Sequence, residues 1–367
     1  MIPVNEPVFN GNEKKYLNQC VETGWISSEG PFVGMFEKNM ASYVGRKFGT
    51  ACSSGTAALD IAVGVLELKS GDEVIMPTFT IISCAQALIN KGVIPVLVDC
   101  DPLDFNMIVN DIESKITPRT KAIMIVHIYG ITVDVDRVLE IADKYDLKVI
   151  EDAAEVHGQF YKDRPCGSFG DVSIFSFYPN KHITTGEGGM VLCNSKHLDD
   201  RAKSLRNLCF SNTRYIHEEL GYNYRMTNMQ AALGVAQLER IDDAIEKKRL
   251  IGNTYNRLLA DLPFINLPVI SNSYCENIYW VYAITVDDLS PISAKNIMQR
   301  FADKGIGTRS FFYPMHLQPV FLKMGLFNGE SYPNSEKLYN SGLYIPSGLG
   351  ITINQMEAVS DVLHGMF

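Results

Sequence analysis

The sequence of 367 residues lacks the usual marks of several protein classes. It carries no positive excess: the formal net charge is -9 at pH 7, whereas non-specific nucleic-acid binding needs a basic face. No uncharged apolar run is long enough to cross a bilayer, and the start, MIPVNEPVFNGNEKK, has no apolar segment typical of a signal peptide. We therefore expect no nucleic-acid or membrane partner. An anionic small molecule stays compatible, because backbone N–H groups can hold a phosphate.

The eight cysteines form no CxxC pair, and no histidines cluster at metal-ligand spacing. We interpret the cysteines as reduced, mostly buried thiols of a cytoplasmic protein, and we expect no metal site. The sequence also has no internal repeat, low-complexity tract or disordered linker. Its 46% hydrophobic and 20% charged residues are typical of a soluble globular protein, and its length allows more than one domain.

In the first half, apolar β-type segments alternate with helix-like segments. The strand candidates are 49–54, 73–76, 95–99, 122–127 and 148–151, and the helix candidates include 56–68 and 135–145. Such alternation predicts an α/β fold with a largely parallel sheet and helices on both faces. Near-continuous apolar strands such as AIMIV fit a sheet that is buried on both sides.

From residue 171 the pattern changes to two strand-like segments, DVSIFSF and GGMVLC, around a polar, glycine-rich loop. We predict one long helix over 227–262 that leads out of the first domain. The rest contains the strand-like IYWVYAITV, a helix around 294–304 and a last helix from Asn354. We therefore expect a large domain over 1–245, which includes the N-terminal segment, and a smaller α/β domain over 246–367.

Lys181 lies where an apolar strand runs into the polar loop, in SIFSFYPNKHITTGEGGM. A loop lysine is ordinarily a solvated surface residue. Two neighbouring features favour a ligand instead. Ser176, near the end of the strand, could bind phosphate through its hydroxyl, and the glycines between 186 and 189 let the backbone pass close to a ligand.

Two further segments fit a phosphate-bearing cofactor. Asp152 follows directly on a buried strand, at the sheet edge where ligands bind in open α/β folds. There it could pair with the protonated ring nitrogen of pyridoxal phosphate (PLP), or it could simply cap a helix. In CSSGTAALDIA a small-residue turn precedes an apolar helix. The helix N-terminus could hold a phosphate, or Thr56 could be no more than its N-cap.

Taken in order, SSGTAAL, GDEVIMPTFT, VIEDAAE, FSFYPNKHITTGEGG and GYNYRMTNMQAALG resemble the DegT/DnrJ/EryC1/StrS family of sugar aminotransferases, over nearly the whole chain. The resemblance implies the type I, aspartate aminotransferase-like fold, with a mixed, mostly parallel sheet. It implies PLP as the cofactor, which passes through pyridoxamine phosphate, L-glutamate as the donor and a nucleotide-linked keto sugar as the acceptor. IPV-EP, GWISS-G, NK-IT-GEGGM and TRSFFYP-H are most similar to the GDP-perosamine synthase subgroup of 4-aminotransferases.

The resemblance also implies roles at matching positions. Lys181 would form the Schiff base with PLP, Asp152 would pair with the ring nitrogen, and Glu155 would approach the ring hydroxyl. Asn223 would reach the phosphate bound by the neighbouring subunit, so that a homodimer is needed for an intact site. The remaining cofactor residues would hold the phosphate within the subunit: Gly55, Thr56 and Ser176.

This sequence departs from the family pattern at the position that stacks on the cofactor ring. Relatives often have an aromatic residue there, whereas this chain has Ile81, so we expect aliphatic packing and a modest change in cofactor affinity. Related sugar dehydratases have histidine where Lys181 stands. The lysine therefore argues for transamination. A 3-aminotransferase, a dehydratase, an amino-acid aminotransferase and a non-catalytic PLP-binding regulator are the alternatives.

Substrate residues are expected in two segments. In GIGTRSFFYPMHLQP, Arg309 could meet a diphosphate, while Tyr313 and His316 could bind sugar hydroxyls or phosphate. Alternatively, the two phenylalanines of this segment pack in the core and Arg309 is solvated. In GWISSEG, Ser27 and Ser28 could touch the sugar.

Overall fold

The structure, a computed structural model, describes residues 1–213 and 215–367. Short 3-10 helices cover Val109–Asp111, Glu113–Lys115 and Met315–Leu317. The α-helices are α1 Glu13–Thr23, α2 Pro31–Tyr43, α3 Gly55–Val65, α4 Ile82–Ile89, α5 Val135–Tyr145, α6 Lys196–Arg206, α7 Asn228–Leu238, α8 Ile241–Leu258, α9 Ala294–Asp303, α10 Pro319–Lys323, α11 Pro333–Ser341 and α12 Ile353–His364. The strands are β1 Phe48–Cys52, β2 Glu73–Pro77, β3 Ile94–Val98, β4 Thr120–Val126, β5 Lys148–Asp152, β6 Phe160–Tyr161, β7 Arg164–Pro165, β8 Val172–Ser176, β9 Gly189–Cys193, β10 Ile265–Asn266, β11 Tyr282–Val286, β12 Arg309–Ser310 and β13 Gly342–Ile345.

A seven-stranded sheet forms the centre of the molecule, in the order β1-β9-β8-β5-β4-β2-β3. The strands from β8 to β3 are parallel, and β9 runs antiparallel to both of its neighbours. Because side chains alternate along a strand, Met124 of β4 points into one core and Ile123 and Ile125 into the other. Helices cover both faces of the sheet. The strand directions and these helices together confirm the expected mixed, mostly parallel sheet.

The segment predicted as one helix over 227–262 forms two helices, α7 and α8. Arg240 leaves the helical region between them, with φ -127° and ψ 22°. Ile241 is the first residue of α8 and is 3% exposed. The second helix therefore begins at a residue that is packed in the core. Asp242 and Asp243 in its first turn suit the positive end of a helix dipole.

A smaller antiparallel sheet, β10-β11-β13-β12, packs with α8, α9 and α12 around a separate core. The N-terminal segment joins this part of the molecule: Ile2 forms an isolated β-bridge with Ile306, and Ser347 N donates to Val4 O. The first residues thus lie against the C-terminal sheet, although the division at 245/246 counts them with the large domain. We keep that boundary, which falls inside α8, as a proposal.

Among the helices of the described ranges, none is both long and apolar enough to cross a membrane.

Candidate active site

A cavity of about 380 Å³ lies at the carboxyl ends of the parallel strands, closed on one side by residues of the C-terminal part. The position is the one that open α/β sheets use for ligands. All seven residues expected to bind the cofactor within one subunit line this single cavity: Gly55, Thr56, Ile81, Asp152, Glu155, Ser176 and Lys181.

The amino group of Lys181 is almost enclosed, with a side chain only 9% exposed. Its Nζ lies 3.8 Å from Glu155 Oε1 and 3.7 Å from the centre of the Trp280 ring. Burial lowers the pKa of Lys181, while the carboxylates of Glu155 and Asp152 act in the opposite direction. A buried lysine with a lowered pKa keeps more of its amine in the nucleophilic, unprotonated form.

Asp152 ends β5 and is 2% exposed at the floor of the cavity. Ala154 N donates to its Oδ1 at 3.0 Å, and the Cys84 thiol donates to its Oδ2 at 3.4 Å. Burial raises the pKa of Asp152, and these two donors together with Lys181 oppose that rise. A buried carboxylate with so few donors is suited to pairing with a cationic ligand atom.

Glu155 is 6% exposed and faces Lys181. Its Oε2 accepts a hydrogen bond from Tyr129 N at 3.0 Å. Burial raises the pKa of Glu155 to about 8, even though Lys181 and the Tyr129 N–H act to lower it. Near neutral pH Glu155 can therefore exchange a proton with its surroundings.

The start of α3 closes the cavity opposite Lys181. The Ser54 hydroxyl caps the helix by accepting from Ala57 N at 3.1 Å, so Thr56 is not the N-cap. The first-turn N–H groups of Gly55 and Thr56 have no partner within the helix, and both residues line the cavity, where such groups can bind an anion. A side chain at Gly55 would place its Cβ 2.7 Å from Ser176 Cβ, so only glycine lets α3 approach β8 this closely.

These observations fit PLP. The glycine approach and free N–H groups form a phosphate cradle at Gly55, Thr56 and Ser176. Asp152 offers a buried anion for a ring nitrogen, and Lys181 offers an enclosed amine. Both carboxylate and amine lie on the wall of the same cavity as the cradle.

Sequence reasoning missed several residues of the cavity wall. Trp280 stands in the run IYWVYAITV, which predicted only a strand, and the structure puts it just before β11 with its ring against Lys181. Cys84 is fully buried beneath Asp152, and its thiol contact has no signal in the sequence. Phe312 and Tyr344 also line the cavity.

Asn223 does not line this cavity within one chain. It is exposed and pairs with Asn207, while the adjacent Tyr224 O accepts from Ser53 N at 2.8 Å. Ser27 is exposed, and Ser28 lines a separate cleft of about 700 Å³ with the basic residues Lys203, Arg206 and Arg225.

The segment after α9 contains three expected substrate residues, and they differ in their exposure to solvent. Arg309 is exposed on β12, in register with Tyr344 of the cavity wall. Tyr313 is half-buried and packs edge-on against Tyr339. His316, expected to bind sugar hydroxyls or phosphate, lies in a buried hydrogen-bond network. It is 1% exposed, and both ring nitrogens are already engaged, at 2.9 Å by Thr78 Oγ1 and at 3.1 Å by Glu336 Oε1.

Comparison with known proteins agrees with this architecture. Residues 8–364 match the DegT/DnrJ/EryC1/StrS aminotransferase family, and the chain belongs to that family. The GDP-perosamine synthase of Vibrio cholerae is 38% identical over 368 residues, covering 100% of this chain and 99% of that protein. The GDP-perosamine synthase of Caulobacter vibrioides is 39% identical over 360 residues, covering 98% and 96%.

A solved structure, the aminotransferase from Psychrobacter cryohalolentis, superposes with a TM-score of 0.92 at 29% identity, covering 100% of this chain and 99% of that one. The fold is thus the type I fold of PLP-dependent aminotransferases. The chain is a PLP-dependent sugar aminotransferase, and PLP is its cofactor.

Proposed function

We propose that this enzyme transfers an amino group from L-glutamate to C4 of a GDP-linked 4-keto-6-deoxy sugar, as a step in the biosynthesis of O-antigen or another surface glycan. The names of the relatives from Vibrio cholerae and Caulobacter vibrioides support this substrate. The observation that carries the proposal is the single cavity in which Lys181, Asp152 and the α3 phosphate cradle meet.

The chain's own residues have separate tasks in this proposal. PLP, when bound, supplies an electron sink that stabilises a carbanion at the substrate carbon. Gly55, Thr56 and Ser176 hold the phosphate, and Asp152 keeps the ring nitrogen protonated. Lys181 Nζ would carry a proton between the substrate carbon and the cofactor C4′, a type of assistance that contributes about 10²–10⁴-fold.

We also propose that the working form is a homodimer in which Asn223 completes the cavity of the neighbouring subunit. Its exposure in the single chain supports this, as do the exposed apolar side chains of Trp25, Ile26 and Met35 on the same molecule. Ser27 and Ser28 remain candidates through the second subunit, and Arg309 beside Tyr344 remains the candidate for the diphosphate. The free state of all eight cysteines supports a cytoplasmic location.

A panel of GDP-, UDP- and dTDP-linked keto sugars, incubated with L-glutamate, tests the substrate. We expect an amino sugar and 2-oxoglutarate, with the GDP-linked 4-keto-6-deoxy sugar used best, and NMR of the product locates the new amine. Amination at C3 would instead indicate a 3-aminotransferase, and a deoxygenated sugar would indicate a dehydratase. A bound-cofactor spectrum without turnover on any sugar or amino acid would favour a regulator.

Lys181→Ala tests the role of the lysine. We expect a folded protein that binds PLP without a covalent bond to the chain and does not turn over, because the nucleophile and proton carrier are gone. Borohydride reduction followed by peptide mass spectrometry should label wild-type Lys181 and leave the variant unlabelled. Lys203→Ala, at the separate basic cleft, is the matched lysine control for covalent attachment. Steady amino transfer by the Lys181 variant would overturn the assignment.

A further inference from the structure

Trp280 is a wall residue of the cavity that the cofactor roles above leave unused. Its side chain is 5% exposed, and the Nζ of Lys181 lies over its ring, 3.7 Å from the centre. The face of an indole ring is electron-rich and attracts an ammonium group, most strongly where water is excluded. The ring therefore offers Lys181 a binding surface that a packing residue alone would not need.

Hydrogen bonds hold both the ring and the backbone of Trp280. Its Nε1 donates to Asn180 O at 2.9 Å, one residue before Lys181 in the chain. Its own carbonyl accepts from the buried Lys248 Nζ at 2.8 Å, and Lys248 also donates to Ser347 O at 2.5 Å. A swing of the indole away from Lys181 would break the Nε1 hydrogen bond, while the Lys248 contact holds the backbone from which the ring projects, so the ring face is held in place before any ligand arrives.

On its other side, the amino group faces Glu155 Oε1 at 3.8 Å. Asp152 is the second carboxylate whose charge acts on Lys181. The imidazoles of His157 and His182 are buried nearby, and burial together with the charge of Lys181 lowers the pKa of both, which favours their neutral forms. The indole face and the carboxylate of Glu155 lie 3.7 Å and 3.8 Å from the Lys181 amino group, and both favour its ammonium form against the burial that lowers its pKa.

We propose that Trp280 and Glu155 together form a receiving site for the free amino group of Lys181, which the reaction must release and later take back. A lysine that leaves the cofactor without such a site would sample many rotamers, whereas a held lysine stays within reach of the substrate carbon. Trp280 is then a positioning residue for Lys181. The inference rests on the proposed role of Lys181 in amino transfer.

The test measures the pKa of Lys181 in the cofactor-free protein. Acetylation by acetic anhydride is followed against pH and quantified on the Lys181 peptide by mass spectrometry, with the surface lysines as internal references. Trp280→Leu removes the ring face and keeps the site apolar, so we expect the pKa of Lys181 to fall by about half to one and a half units. Trp280→Phe keeps a ring face, so it should lower the pKa of Lys181 by less. Glu155→Gln should also lower it.

Fluorinated tryptophan provides a second measurement that does not depend on how Trp280→Leu folds. The chain has two tryptophans, so a Trp25→Phe background leaves Trp280 as the labelled one. Fluorine weakens the negative ring face with little change of shape, and the pKa of Lys181 should fall stepwise as fluorine is added. An unchanged pKa across this series, or equal shifts in the Leu and Phe variants, would overturn the receiving site. The sugar panel reports separately on the proposed function, because the labelling uses neither cofactor nor substrate.

Discussion

At the scale of single residues, the site depends on charges that the protein keeps out of water. Asp152, Glu155 and Lys181 are all buried around one cavity. Burial raises the pKa of the two carboxyl groups and lowers the pKa of the lysine, so that it favours the neutral form of each. Mutual attraction between the carboxylates and the lysine opposes this effect. Of the three, Glu155, with its pKa raised to about 8, can change protonation state during a reaction near neutral pH.

Glu155→Gln should change how the stability of the cofactor-free protein depends on pH. The folded-state pKa of Glu155 is raised to about 8, so between its unfolded value and 8 the native state holds a proton that the unfolded chain has lost. The contribution is therefore complete below the unfolded pKa and is lost as pH rises, by at most about 1.4 kcal/mol per pH unit. Thermal unfolding from pH 5 to 9 should show a steeper decline for wild type than for the variant. Parallel curves would contradict this prediction.

Cys84→Val tests the thiol that supports Asp152. The thiol donates to Asp152 Oδ2 at 3.4 Å and so favours the ionised carboxylate. We expect the valine variant to bind PLP about 2- to 10-fold more weakly, since a buried hydrogen bond contributes roughly 0.5–1.5 kcal/mol. Cys84→Ser keeps a donor and is the matched control. Fluorescence titration of cofactor-free protein with PLP gives the dissociation constants, and equal affinities for all three proteins would remove Cys84 from the site.

At the scale of elements, the phosphate cradle depends on how closely α3 approaches β8. Gly55 at the start of the helix faces Ser176 at the end of the strand, and this contact fixes where the first-turn N–H groups point. The sequence indicated a strand, a turn and a helix here, but not which residue caps the helix. Ser54, and not Thr56, is the N-cap, because the Ser54 hydroxyl accepts a hydrogen bond from Ala57 N.

Gly55→Ala should weaken PLP binding and lower the melting temperature, because its Cβ would meet Ser176 Cβ at 2.7 Å. The overpacking should destabilise the protein by about 1–3 kcal/mol. Ser176→Gly in the same chain should restore the melting temperature in part, by removing the atom that clashes. Gly34→Ala in α2 is the control, since an added Cβ there meets nothing within 4 Å. This substitution should raise the melting temperature or leave it unchanged. A variant at Gly55 that melts like wild type would refute the close approach.

At the scale of the whole molecule, the proposed dimer predicts complementation between two defective chains. Lys181→Ala lacks the nucleophile, and Asn223→Ala lacks the group proposed to serve the other subunit. A mixed dimer should hold one intact cavity. Refolding or co-expressing the two variants in equal amounts should therefore give about a quarter of wild-type activity, well above either variant alone. Activity equal to the mean of the two homodimers would show that Asn223 does not act across an interface.

The expectation for 227–262 shows where sequence patterns stop being sufficient. Helical spacing continues across the break at Arg240, because both halves bury apolar residues at helical intervals. The turn between α7 and α8 is set by what each helix packs against, and that information lies in distant segments. His316 shows the same limit: its partners, Thr78 and Glu336, are 238 and 20 residues away.

The sequence by itself determined the alternating α/β order, the carboxylate at the end of β5 and the lysine between β8 and β9, because each follows from local periodicity or from a motif. Tertiary structure alone decided that Trp280 meets Lys181, that Cys84 supports Asp152 and that His316 is engaged away from the cavity. These contacts join residues far apart in the chain. Such pairings are chosen by the packing of whole elements against one another, which no local pattern records.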